Sequence, residues 1–447
     1  MNIQEFQAKL FSQAVCSGFT DVEIYYENKE IFGCQVFKGE IDQYEIAEDS
    51  GVSFRGIING KMGYAYSEKL DDASIPFLIE NAKENARMVQ EDDGEEIFAG
   101  SDQYEKASFY SPSLNEVTAA EKIQLIKEIE REIYAVDPRI AATDYCMVRT
   151  ESVTKDLMNN KGLSLSDKMN HLTVMVEVIV KDGEETKTSF EFVVTKDFHS
   201  LNAKEIAKKA ADEALSQLGS RNIESRNYPV LLRNDAAAHL LATYAANFSA
   251  ENTQAGISSL KDKLGKQIAT EKITIVDHPL LKDGLASRTF DSEGVASTRL
   301  TLVENGVLHS LLHNLKTAKK DSTVTTGHAH KDSYKSAVKV GPSNLYIEPA
   351  QSSFDDLLAS MGEGVLITGL SGLHSGANTI SGDFSLAANG FYVKDGKIAF
   401  PVNLMTIAGN FYQLLQDVEE IGSDLTFPLT PVGSPSILVK SLSVTVE

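Results

Sequence analysis

Apolar residues Phe6, Leu10, Phe11 and Ala14 fall at i, i+4, i+5 and i+8, and the stripe stops at Gly18. That spacing predicts a helix over residues 2–17. From 21 to 67 the pattern shortens to β-type runs, VEIYYE, GCQVF, QYEIA, VSFRGII and MGYAYS. The polar segments ENKE, FKGE, EDSG and INGK read as the turns between them, which predicts an antiparallel meander. A second helix is predicted over 74–90, with Pro76 in its first turn, where a missing N–H costs nothing.

The same order then returns. Ser113 and Glu116 have the spacing of a capping box, which predicts a helix running to about 136 and closed by Pro138, with Ile126, Ile129 and Ile133 on its buried face. The runs YCMVRT, TKDLM, LSLSD, LTVMVEVIV and TSFEFVV follow, with turns at NNKG and KDGE. Asn202 with Glu205 caps a further helix through Ala207, Ala211, Ala214 and Leu215, ended by Gly219. Residues 1–221 therefore read as two copies of helix, meander and helix whose strands can share one sheet, joined by the polar stretch 92–113.

A boundary is expected within 221–228. Beyond it, one strand (YPVLL) leads into a helix over about 235–248. Many short β runs separated by Gly-containing turns come next, with helices near 314–320, 353–360 and 410–416. The expected fold class is α+β: a pseudo-duplicated mixed α/β domain over 1–221 and a mostly-β domain with a few helices over 222–447.

Composition narrows the function. The 447 residues are 42% hydrophobic and 24% charged, with 11 Pro and 30 Gly, which excludes collagen-like, disordered and disulfide-knotted chains. The 42 Lys+Arg against 64 Asp+Glu leave a net charge of −22, which repels phosphate backbones, so no nucleic-acid partner is expected. The densest basic stretch, Lys319, Lys320, Lys331, Lys335 and Lys339, reads as a solvated face. Cys16, Cys34 and Cys146 are widely spaced, without the pattern of a disulfide framework or a thiolate metal cluster. The opening MNIQEFQAKLF has no basic segment leading into an apolar run, and no stretch approaches a membrane span. A cytoplasmic protein with no membrane partner is expected.

Candidate chemistry is sparse. His309 and His313 are spaced i, i+4, and His328 and His330 are spaced i, i+2. On a helix the first pair would suit zinc. However, GVLHSLLHN follows a Glu-Asn-Gly turn and reads as a strand, and neither His has a Glu beside it to act as base. Scattered surface and half-buried histidines are the plainer reading. No GxSxG nucleophile turn, phosphate loop or dinucleotide fingerprint occurs. The Gly-rich run GEGVLITGLSGLHSGANTISGDFSLAANGFYV suggests either tight corners or an edge strand able to accept an extended peptide. Asp291, Glu293 and Asp383 sit beside glycines, placed either to bind a ligand or to hold turns.

The ordered motifs GLASRTFDSEGV, TGHAH and SGDFSLAANGFYVKDGKIAFPVNLMTIAGN resemble the TldD/PmbA family, long labelled "modulator of DNA gyrase", and within it the PmbA (TldE)-like branch. The resemblance implies a cytosolic metallopeptidase system in which a TldD-type chain pairs with a PmbA-type chain and small or unfolded peptides are cut. It also implies an HExxxH helix and a distal Cys as metal ligands in the TldD-type chain. The matching helix here reads Asp235-Ala-Ala-Ala-His239-Leu-Leu-Ala-Thr-Tyr244, with Leu240 at the base position and Tyr244 at the second ligand position, and 424–447 contains no Cys. No metal or other cofactor is therefore expected in this chain, with zinc only in a TldD-type partner. The working form would be that heterodimer, a homodimer, or both. The expected substrate groove comprises His239, Tyr244, Asn247, Ser381, Gly382 and Asp383. The alternative is a peptide-binding or modulator protein without catalytic activity.

Overall fold

A computed structural model describes residues 1–89 and 95–446. The predicted helix end at Gln90, the first linker residues from Asp92, and the final residue lie outside the described residues.

The N-terminal half runs α1 (Ile3–Cys16), β1 (Asp21–Phe37), β2 (Glu40–Ile58), β3 (Lys61–Ser67), α2 (Ser74–Met88), α3 (Pro112–Glu116), α4 (Ala119–Val136), β4 (Ile140–Asn159), β5 (Ser164–Asp182), β6 (Glu185–Thr195) and α5 (Ala203–Ser216). Both meanders join one six-stranded sheet, in the order β3-β2-β1-β4-β5-β6, with β1 antiparallel to β4 at its centre.

The strands are longer than the sequence pattern suggests. ENKE and EDSG are not turns: Glu27 lies opposite Gly51 and Glu30 opposite Glu48 within the β1–β2 ladder. The hairpins turn at the other two predicted segments, FKGE and INGK, through Lys38-Gly39 (φ 53° and 79°) and Asn59-Gly60 (φ 51° and 76°). Both central residues there are left-handed, as the tight hairpin turn that matches strand twist requires. Gly51 serves a close approach, since a Cβ on it would lie 2.2 Å from the buried Tyr334 ring. The expected Ser113/Glu116 box is also replaced. Val117 is extended, and the long helix starts at a capping box between Thr118 and Glu121.

Strand alternation splits the sheet's two faces. Val22, Ile24 and Phe54 pack under α1 and α2 with Phe6, Leu10, Ile75 and Leu78. Val148, Leu172 and Val174 pack under α4 and α5 with Ile126, Ile129 and Ile133. Tyr25, on the opposite parity of β1 from Ile24, meets the C-terminal half in a seam cluster with Leu157, Leu163, Phe290 and Tyr334.

The C-terminal half contains β7 (Arg226–Leu232), α6 (Asn234–Tyr244), which continues as a tight turn over Ala245–Phe248, β8 (Ile275–Asp277), β9 (Leu300–Glu304), β10 (Val307–Leu308), β11 (Ala329–His330), β12 (Lys339–Val340), β13 (Leu345–Ile347), β14 (Gly364–Ser371), β15 (Asp383–Lys394), β16 (Lys397–Pro401), β17 (Met405–Asn410), β18 (Val418–Ile421), β19 (Val432–Gly433) and β20 (Ile437–Val446). Together the two halves make an α+β protein. Strands β14-β7-β20-β17-β15 follow one another as neighbours, and β15 pairs back onto β14, so the ladder closes into a ring. The Gly-rich run forms two adjacent strands of this ring and not a free edge. Its glycines let the closing strands touch: a Cβ on Gly390 would lie 1.9 Å from the Leu366 carbonyl oxygen.

Candidate functional site

Of the expected groove residues, Tyr244 and Asn247 meet the segment 379–383. Tyr244, fully buried, stacks on Phe411 with centroids 4.3 Å apart, and its hydroxyl donates to the carbonyls of Gly382 (3.1 Å) and Asp383 (3.3 Å). Asn247 donates to the Thr379 carbonyl at 2.9 Å. Ser381 Oγ donates to Asp383 Oδ2 (2.8 Å) and Asn410 Nδ2 to Asp383 Oδ1 (2.9 Å), and these two bonds hold the Asp383 carboxyl below its ordinary range. Gly382 is left-handed at φ +87°, with the Tyr412 ring 2.6 Å from where a Cβ would stand. His239 is half-buried on the same helix and takes no part in these bonds.

This arrangement does not fit a metal of the HExxxH kind. Leu240 and Tyr244 are both turned into the core, and the Tyr244 hydroxyl is engaged by backbone carbonyls. Among the described residues, no three His, Cys, Asp or Glu side chains converge as a metal site would need.

The histidines separate. His309 is exposed near Glu304, while His313 is buried. His328 is fully buried, its Nε2 3.0 Å from Asp277 Oδ1 and its Nδ1 2.8 Å from Thr326 Oγ1. That order imitates a nucleophile–His–Asp relay. The Thr326 hydroxyl, however, already accepts the His313 N–H (2.7 Å) and lies 3.2 Å from the His313 carbonyl, so it ties down a loop. Asp291 likewise holds a turn, accepting backbone N–H groups from Glu293, Val295 and Ala329.

The seam between the halves holds the polar groups that periodicity misses. Arg55, 6% exposed, binds Glu23 of β1 at 2.6 Å and Glu293 of the C-terminal half at 3.4 Å. The one signal in the sequence is an Arg inside the apolar run VSFRGII. Lys331 is not on a solvated face. It is 3% exposed, donates to Ser53 Oγ at 2.8 Å and sits over the Tyr25 and Tyr64 rings. Charges do not hide inside a fold without such partners.

Burial, reinforced by the Arg55 charge, lowers the Lys331 ammonium from its ordinary 10.5 to about 7. Between those values the unfolded chain holds more protons than the folded one, so this lysine adds stability as pH rises through that window. Lys331→Met is expected to remove a rise of a few kcal/mol (order of magnitude) between about pH 7 and 10. Urea melts of both proteins at the two pH values measure the difference, and parallel pH curves would sink the expectation.

A cavity of about 200 Å³ lies at the same seam. Lys155, Asp167 and His171 of the sheet face Arg288, Phe290 and His330 across it.

Comparison with known proteins follows the fold along its length. Models of PmbA/TldA metallopeptidase domain 1, the central domain and the C-terminal domain match residues 22–86, 112–218 and 225–446. The chain is 27% identical over 434 residues to metalloprotease PmbA of Escherichia coli O157:H7, covering 94% of this chain and 93% of that one. It is 30% identical over 415 residues to an uncharacterized protein of Methanocaldococcus jannaschii, covering 90% of each. Among solved structures, a Thermotoga maritima protein described as a modulator of a DNA gyrase superposes with a TM-score of 0.92 at 33% identity, over 99% of this chain and 100% of that one. TldE from Thermococcus kodakarensis gives 0.89 at 21% identity over 98% and 100%, a likeness of fold alone. No helix among the described residues is long and apolar enough to cross a membrane.

Proposed function

Because the chain belongs to the PmbA/TldD metallopeptidase family, we propose that it is the PmbA-like subunit of a cytoplasmic two-chain peptidase that cleaves small or unfolded peptides. A TldD-type chain holds the zinc, and this chain forms part of the wall against which the peptide lies. It pairs with that partner and is also able to pair with a second copy of itself.

The observation that carries this reading is the chemistry of α6. Leu240 has no base to offer and is 1% exposed, while the fully buried Tyr244 is engaged by the carbonyls of Gly382 and Asp383. Such a helix lacks the positive charge needed to polarise a peptide carbonyl. Around it Tyr244 and Asn247 are buried and bonded to backbone carbonyls, which leaves Ser381 and Asp383 as the exposed polar groups able to meet a peptide.

Purified alone, the chain is expected to carry well under one zinc per chain and to leave peptides intact. Mixed with a TldD-type chain from the same cell, it should co-elute and support peptide turnover that a chelator abolishes. Elemental analysis and a cleavage assay with and without the partner test both statements. About one tightly bound transition metal per isolated chain, or turnover by it alone, would overturn the reading.

A further inference from the structure

The seam cavity is walled on one side by β4 and β5 of the six-stranded sheet and on the other by the segment 285–292 and His330. Its charges are unevenly committed. Glu151 is paired with Lys29 at 2.7 Å. Asp167 accepts the Thr289 N–H (2.6 Å) and hydroxyl (2.8 Å). Asp291 is saturated by three backbone N–H groups. All three carboxylates facing the cavity are therefore spent on protein donors.

Of the donors, Lys155 lies 4.0 Å from Glu27 and His330 3.2 Å from Asp332, whereas Arg288 bonds only the Gly327 carbonyl, at 3.3 Å, and has no ion pair among the described residues. Among those residues, its Nε and the Nδ1 of His171 are buried without hydrogen-bond partners. Buried polar atoms left unpaired are costly and uncommon, and they mark this wall as one whose hydrogen bonding the protein itself does not complete. Burial, then the Arg288 and Lys155 charges, hold His330 down to about 4. Burial acts here against charge of either sign, lowering Lys155 and raising Asp167 and Asp291, so the preference for an anion rests on the Arg288 guanidinium, which has no carboxylate partner. Lys168 adds another ammonium on an exposed part of the lining.

Shape narrows the ligand. About 200 Å³ is below the usual range for a whole small-molecule ligand, so it suits an end group. The cavity does not stand alone. It shares Met169, His171 and Leu285 with a neighbour of about 220 Å³. That neighbour shares Val194, Asp283 and Leu285 with a third of about 570 Å³ along β6. A groove follows the seam and ends at the cluster of Arg288, His171, His330 and Lys155.

We propose that this end of the groove binds the carboxylate of a peptide, with Arg288 as its principal partner and the rest of the peptide lying along the seam. That the ligand is a peptide rests on the function proposed above. The carboxylate preference rests on the cavity itself.

The test uses the whole purified chain without partner or metal and reads fluorescence anisotropy of dye-labelled hexapeptides. One ends in Ala-Leu as the free acid, one is its C-terminal amide, and one is an amide ending in Glu. The free acid is expected to bind at least about tenfold more tightly than the Leu amide, the gain of one charge-assisted contact. Arg288→Gln should reduce the acid's affinity to that of the amide, and Arg288→Lys should restore part of it. Lys168→Gln, at an exposed position, should weaken the acid without changing thermal melting. If the Glu amide equals the free acid, the carboxylate comes from a side chain as readily as from a chain end. If it equals the Leu amide, only the chain end is read. Both outcomes support the proposal.

Equal affinity for all three peptides, no binding of any, or an acid preference that survives Arg288→Gln in a folded protein would overturn it. Binding needs no catalysis, so a reconstituted pair that fails to cleave peptides would refute the peptidase reading while leaving an observed acid preference standing.

Discussion

Arg55→Ala is expected to destabilise the protein by about 3–5 kcal/mol, the cost of breaking a buried ion pair from one side. Glu23 and Glu293 are 1% and 4% exposed, and Arg55 is the cation between them. Without it both carboxyls stay buried with their main counter-charge gone. Burial already raises both groups above their ordinary range, against the lowering effect of Arg55. Losing the guanidinium raises them further, so they take up protons on folding. In the pH window above the unfolded carboxyl value the folded state then binds more protons than the unfolded one, and stability falls as pH rises. The penalty of Arg55→Ala should therefore be smaller near pH 5 than at pH 7.5. Replacing Glu23 and Glu293 by Gln in the Arg55→Met background should recover much of the loss, because removing all the charges removes the desolvation problem. Urea denaturation at the two pH values reads each comparison. A loss under about 1 kcal/mol, or one independent of pH, would mean that the network does not carry these charges.

Gly390→Ala is expected to cost about 3 kcal/mol or more, at the upper end for overpacking. Gly390 lies opposite Ile367 where β15 closes the ring onto β14. The added methyl would stand 1.9 Å from the Leu366 carbonyl oxygen and 2.9 Å from its carbon, both backbone atoms that no rotamer change can move. Relief requires parting the two strands at the closing ladder. Gly369→Ala in the facing strand β14 is the control, because its nearest neighbour would be 3.8 Å away, ordinary contact distance. It should leave stability nearly unchanged or raise it slightly by restricting the unfolded chain. Thermal melting of the two variants decides this, and similar melting temperatures would disprove that the strands touch so closely.

Most of the local structure could be read from the chain. The 3.6-residue stripes of α1, α2, α4 and α5 and the Lys38-Gly39, Asn59-Gly60 and 181–184 turns depend on neighbours in sequence, and the repeated helix–meander–helix order followed from them. Strand length was not legible. ENKE looks like a turn because it is polar, yet its residues pair across β1–β2. Polarity marks exposure, whereas a reversal needs left-handed backbone. Gly51 and Gly390 also looked like corners, although each answers to a group distant in sequence: the Tyr334 ring and the Leu366 carbonyl.

The same division holds for the site. Loss of the HExxxH ligands is a matter of residue types, and α6 was enough to read it. The expected groove set drew on α6 and on Ser381, Gly382 and Asp383, but only the fold could reveal that Tyr244 would be bound by the Gly382 and Asp383 carbonyls. The seam was invisible from the chain. Lys331 reaches Ser53, Arg55 reaches Glu293, and Arg288 faces His171, joining residues more than a hundred positions apart. Sequence by itself determined which groups carry charge and which stripes must be buried. Tertiary structure decided which charges lost their water, because desolvation depends on what packs across a seam and no pattern of neighbours along the chain encodes it.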